Sequence, residues 1–131
     1  MEKISKSFLK DSYFIADLKL CTIRLIDNSK FPWIILIPNR KKITDIFQLK
    51  KKDQNLLMQE IVFASKVMKR TFKAFNLNVE KIGNIVYQLH IHVIARSKKD
   101  SSWPLSVWVV KKTTYSKTTL NKTILKLQKA F

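Results

Sequence analysis

The period of the hydrophobic pattern changes twice along this chain, and that change limits its fold more than any other feature. Residues 19–26 alternate loosely between apolar and polar, as a strand with one buried face does, and end at the turn-forming Asp27-Asn28-Ser29. Residues 33–37 are continuously apolar between Pro32 and Pro38, which suits a central strand bounded by residues that cannot extend a ladder. Residues 11–15 are expected as a short edge strand, and Thr44-Asp45 as the opening of a short helical turn. From about residue 51 to 75 the period lengthens. Leu57, Ile61, Ala64, Met68, Phe72 and Phe75 recur at three- or four-residue steps, the core stripe of a long helix. Residues 79–86 and 89–96 then return to a strand pattern, with Gly83, the only glycine, marking a bulge or close approach. Ser116 caps a last helix with Leu120, Ile124, Leu127 and Phe131 on one side and Lys117, Lys122, Lys126 and Lys129 on the other. Two strands, a long helix and two further strands make an α+β plan with an antiparallel sheet.

The chain of 131 residues contains no repeat and no Gly/Ser linker, so residues 1–131 are expected to form one domain with a basic helical extension over about 109–131. No apolar run approaches the roughly 20 residues that cross a bilayer. The N-terminus lacks the apolar stretch of a secretory signal, and the lone Cys21 reads as a buried strand residue without a disulfide partner. A cytoplasmic location and no membrane partner are therefore expected. The net charge of +17 asks for an anionic partner or none. Arginine occurs only at Arg24, Arg40, Arg70 and Arg96, and the lysines are scattered, with no arginine-rich arm and no Gly-rich aromatic RNA-binding motif. Coding bias toward lysine, with a solvated surface, explains this best, ahead of a field that draws in polyphosphates. A basic module associated with nucleic acid is the lesser reading.

Both histidines of the chain fall within Gln88-Leu89-His90-Ile91-His92-Val93-Ile94. On an extended strand Gln88, His90 and His92 point to one face while Leu89, Ile91 and Val93 point into a core. Imidazole exchanges protons and acts as a nucleophile near neutral pH, so the row reads as catalytic. Two other readings compete with it. A metal pair would offer two ligands, too few to close a zinc site, and two buried structural histidines would do no chemistry.

The segment from Gly83 to Arg96, followed by residues 100–108, resembles the histidine triad (HIT) superfamily, whose pattern alternates three histidines with apolar residues. The similarity is greatest to its bacterial diadenosine tetraphosphate hydrolase-like branch. Residues 27–38 also look like that branch's substrate-side strand, and the resemblance spans about residues 8–108. It implies a five-stranded antiparallel sheet with helices on one side, and a homodimer. It also implies a nucleotide or dinucleoside polyphosphate substrate, with no cofactor beyond a divalent metal that accompanies the polyphosphate. By the same resemblance His90 is the nucleophile that takes up a nucleotidyl group and His92 donates to a phosphate oxygen. Gln88 stands at the first triad position, where it forms hydrogen bonds but cannot titrate. Asn84 is expected in a phosphate-contacting region, although Ile85 replaces a Ser or Thr found in many relatives. Asp27 or Asn28 either binds ribose or only caps its turn. Trp103 and Trp108 either shape the site's rim or a dimer contact, or pack as loop aromatics. The implied activity is hydrolysis of a phosphoric anhydride or phosphoramidate, or nucleotidyl transfer. Nucleotide binding with little turnover is the alternative.

Overall fold

Five strands pair side by side in a computed structural model that describes residues 4–131. They are β1 (Ser12–Asp17), β2 (Cys21–Ile26), β3 (Trp33–Pro38), β4 (Asn76–Glu80) and β5 (Ile91–Arg96), in the order β1-β2-β3-β5-β4 with every pairing antiparallel. The short turns after β1 and β2 give neighbouring strands, whereas the helical segment between β3 and β4 lets β5 insert beside β3. Period-two patterning then divides the sheet. Ile23, Leu25, Ile34, Leu36, Ile91, Val93 and Ala95 face one core, and Trp33, Ile35, Ile37 and Ile94 face the other side.

The first face is covered by α2 (Lys51–Phe72) and α3 (Lys117–Ala130). Leu57, Ala64 and Met68 of α2 are buried there, as the helical stripe predicts, and Leu120, Ile124, Leu127 and Phe131 join them from α3. Ser116 caps α3 by accepting from the Thr119 N–H. Two acidic residues of α2 are also buried, Asp53 and Glu60, and Glu60 accepts the Leu20 and Cys21 N–H groups, each at 2.8 Å. It satisfies two main-chain donors at the start of β2 and ties the long helix to the sheet.

Several expectations are corrected. The helix stops at Phe72 because Lys73 turns left-handed (φ 51°), so Phe75 lies outside it, half exposed, edge-on to Trp103. The strand expected over 79–86 ends at Glu80, and residues 81–90 run irregularly through Gly83 (φ 71°). The short helix α1 (Lys6–Asp11) has no periodic signature and lies on the face opposite α2, with Phe8 packed on Ile35 and Ile37. Thus one helix crosses the side that the resemblance leaves open. The helical turn near Thr44 is present over Ile46–Gln48, with Asp45 and Gln48 capping it reciprocally.

Candidate functional site

His90 immediately precedes β5 and His92 is its second residue, and both are buried on the sheet face beneath α1. Their ring centroids are 4.8 Å apart. Each ring has one nitrogen tied to a partner of unambiguous character. The Nδ1 of His90 lies 2.7 Å from the Gln88 carbonyl oxygen, which can only accept. Nδ1 must therefore carry a proton, and neutral His90 keeps its lone pair on Nε2. The Nδ1 of His92 instead accepts the indole N–H of Trp33 at 3.0 Å. Neutral His92 therefore carries its proton on Nε2. A lone pair and an N–H donor are offered by neighbouring rings of the same chemical type.

Burial disfavours the imidazolium in both rings. It lowers the His90 pKa, against the opposing bond to the Gln88 carbonyl and with a smaller lowering effect from Lys81. For His92 burial is again the largest cause, followed by the neighbouring His90, and the pKa falls to about 3. Phe8 meets the His90 ring edge-on at 4.6 Å, and Trp108 meets His92 at 5.4 Å.

Both histidines line a cavity of about 630 Å³ with predominantly apolar walls that include Phe8, Ile26, Trp33, Val107, Trp108 and Val110. The segment 82–86 forms another wall, where Gly83 adopts the left-handed conformation that suits glycine. Asn84 and the exposed Ile85 lie on that wall. Asp11 and Lys112 also line the cavity, 3.5 Å apart.

The other expected site residues are divided by the fold. Asn28 is buried against the cavity, and its Oδ1 also accepts the Lys30 N–H at 3.1 Å, so it both caps the turn and faces the site. Asp27 lies away from the cavity lining and accepts from the Tyr115 N–H at 2.9 Å and the Tyr13 hydroxyl at 3.3 Å. Gln88 contributes its carbonyl to His90, while its side-chain oxygen accepts the Ser5 N–H at 2.8 Å, and it too is absent from the lining. Trp103 is placed elsewhere, against Phe75 and the Arg96 guanidinium. Arg96 bonds Asp100 and the Leu105 carbonyl, which folds the loop so that Trp108, not Trp103, reaches the histidines.

Nothing in the sequence pattern marks Trp33 or Phe8 as a residue of this site. Trp33 reads as one more apolar residue of a central strand, and only the antiparallel register of Ile35 with His92 brings its indole to that ring. Phe8 has no periodic signature at all. Among the described residues no group of three or more His, Cys, Asp or Glu side chains forms a metal site, and no helix is long and apolar enough to cross a membrane.

The HIT domain family profile matches residues 8–99. A histidine triad protein from Bradyrhizobium japonicum is similar in structure with a TM-score of 0.94 and 32% identity, over 98% of this chain and 97% of that one. Another from Sinorhizobium meliloti 1021 has a TM-score of 0.94 at 31% identity, over 99% and 97%. A third from Marinobacter aquaeolei VT8 has a TM-score of 0.94 at 30% identity, over 99% and 96%. A comparison with curated proteins gives no match. With the profile covering most of the chain and the His-x-His strand in its place, the chain belongs to the histidine triad family.

Proposed function

We propose that this protein binds a nucleotide in the cavity and transfers its nucleotidyl group through His90, as a hydrolase or nucleotidyl transferase. The substrates are dinucleoside polyphosphates or other adenylylated compounds. One observation carries the reading: the Gln88 carbonyl leaves the His90 Nε2 lone pair available beside the N–H of His92, in a cavity with predominantly apolar walls. Nε2 attacks the α-phosphorus, a P–N bond to the ring forms, and the bond to the leaving group breaks (P–O in an anhydride, P–N in a phosphoramidate), with its electron pair departing on that group. Water then cleaves the P–N bond and restores the neutral ring. The His92 N–H stabilises a non-bridging oxygen as charge accumulates there. Asn28 and Asn84 offer polar contacts to the nucleotide from the walls.

The first triad position supplies no acid, because Gln88 does not titrate. A polyphosphate leaving group needs no proton and an amine does, so anhydrides are favoured over phosphoramidates. Any divalent ion arrives with the polyphosphate. A second reading, nucleotide binding with little turnover, is favoured by Ile85, which puts an exposed apolar side chain on the wall where a hydroxyl could contact phosphate. The partner we infer besides the nucleotide is a second copy of the chain, since β4 is an open sheet edge with Val79 half exposed. Light scattering of the purified protein tests that inference.

The function is tested by incubating wild type and His90→Asn with diadenosine tetraphosphate, AMP-lysine and AMP-phosphoramidate and separating the products. His90-dependent release of AMP or ATP, fastest from the tetraphosphate, is expected. AMP binding without turnover across the panel would move the protein to the binding class.

A further inference from the structure

We propose that Trp33 is a positioning residue that holds His92 as a fixed Nε2–H donor and thereby decides which of the two imidazoles serves as the nucleophile. The inference rests on the nucleotidyl-transfer reading for its consequence, but the geometry stands without it. Indole has an N–H and no lone pair in the ring plane, so Trp33 Nε1 can only donate. The ring nitrogen that accepts it, 3.0 Å away, cannot itself be protonated. The other neutral tautomer of His92, and its imidazolium, would each set two N–H groups against one another. Trp33 and His92 are each only 4% exposed, so water offers little compensation.

The indole is itself held. Trp33 meets Trp108 edge-on at 4.9 Å, and Trp108 meets His92 at 5.4 Å, so the imidazole is enclosed by two tryptophans. The Trp108 N–H is directed to Glu80 Oε1 at 2.9 Å, which leaves Trp33 as the indole that addresses His92. On the neighbouring ring the Gln88 carbonyl imposes the opposite tautomer. Two histidines in one row are thus made unlike by their partners: one carbonyl yields a lone pair toward the cavity, and one indole yields a donor. His92 is then a hydrogen-bond donor that never becomes an acid in the working range, so the leaving group obtains no proton from it.

The test is the nitrogen NMR spectrum of the histidine rings in ¹⁵N-labelled substrate-free protein, wild type and Trp33→Phe, paired with steady-state kinetics. In the wild type His92 is expected as a single Nε2–H tautomer, with the Trp33 indole proton protected from exchange. Trp33→Phe keeps an aromatic ring but removes the donor. Its His92 should become a mixture of tautomers while His90 keeps its spectrum, and kcat should fall about tenfold, the worth of one hydrogen bond, with a smaller change in KM. A wild-type His92 protonated on Nδ1, or averaging between tautomers, would overturn the proposal even if the variant failed to fold. So would a Trp33→Phe protein whose His92 stayed a single Nε2–H tautomer, or whose kcat was unchanged after the tautomer was lost. The spectra need no substrate, so an inactive wild type with the expected His92 spectrum would count against the proposed function and not against the Trp33 bond.

Discussion

The carbonyl of Gln88 lies 2.7 Å from the Nδ1 of His90, so Gln88 acts on this ring through the main chain. Its side chain is engaged with the Ser5 N–H at the start of the N-terminal segment. Replacing the side chain should therefore cost far less than replacing the histidine. Gln88→Ala is expected to retain turnover within about tenfold of wild type, whereas His90→Asn loses about 10³-fold or more. Steady-state rates on diadenosine tetraphosphate check both. Equal losses in the two variants would mean that the Gln88 amide acts directly on the substrate.

In the proposed reaction His90 works as the neutral nucleophile, and burial lowers its pKa below the ordinary value near 6.5. The acid limb of kcat/KM should accordingly lie below pH ~6.5, with activity lost only as the pH falls through the lowered pKa. Lys81 contributes to the lowering, so Lys81→Met should shift that limb toward neutrality. A pH profile of the two proteins measures this, and a wild-type limb above neutrality would contradict it.

His92 makes folding depend on pH in a defined direction. Its folded pKa of about 3 lies well below its ordinary value, so the unfolded chain binds the extra proton first. The stability held by neutral His92 is complete above pH ~6.5 and is lost as the pH falls toward 3. Urea unfolding of wild type and His92→Gln between about pH 7 and pH 4 isolates this contribution. The gap between the two proteins should change in favour of the variant as the solution is acidified.

Arg96 is expected to matter for the loop that presents Trp108. Its guanidinium is 2% exposed and bonds Asp100 at 2.8 Å, Asn78 at 2.7 Å and the Leu105 carbonyl at 2.7 Å. Arg96→Ala leaves the Asp100 carboxylate, in a half-buried residue whose side chain is 7% exposed, without its cation and should lower stability by about 3 kcal/mol in chemical denaturation. A loss under about 1 kcal/mol would show that the loop stands on its apolar contacts alone.

Periodicity made the strands around His90, the core face of α2 and the apolar side of α3 legible, because each depends only on which residues share a face. The His-x-His row was legible for the same reason, and both rings do share the cavity. What the pattern could not show was who meets whom across the sheet. Trp33 reaches His92 because Ile35 pairs with His92 in register, and a one-residue slip would turn the indole to the other face. Trp103 lies closer to the histidines in sequence than Trp108 does, yet the Arg96 network carries it away and brings Trp108 in. Asp27 and Asn28 are adjacent and equally suited to ribose, but only Asn28 lines the cavity. The short α1 carries too few residues for a period, so the cover it lays over His90 through Phe8 was invisible.

The most direct measurement is the mass of the intact protein after mixing with diadenosine tetraphosphate and quenching in alkaline denaturant, followed by mapping of any adduct. A single nucleotidyl group on His90, absent from His90→Asn, is the expected result. Turnover by His90→Asn at the wild-type rate, or an adduct on another residue, would contradict the account.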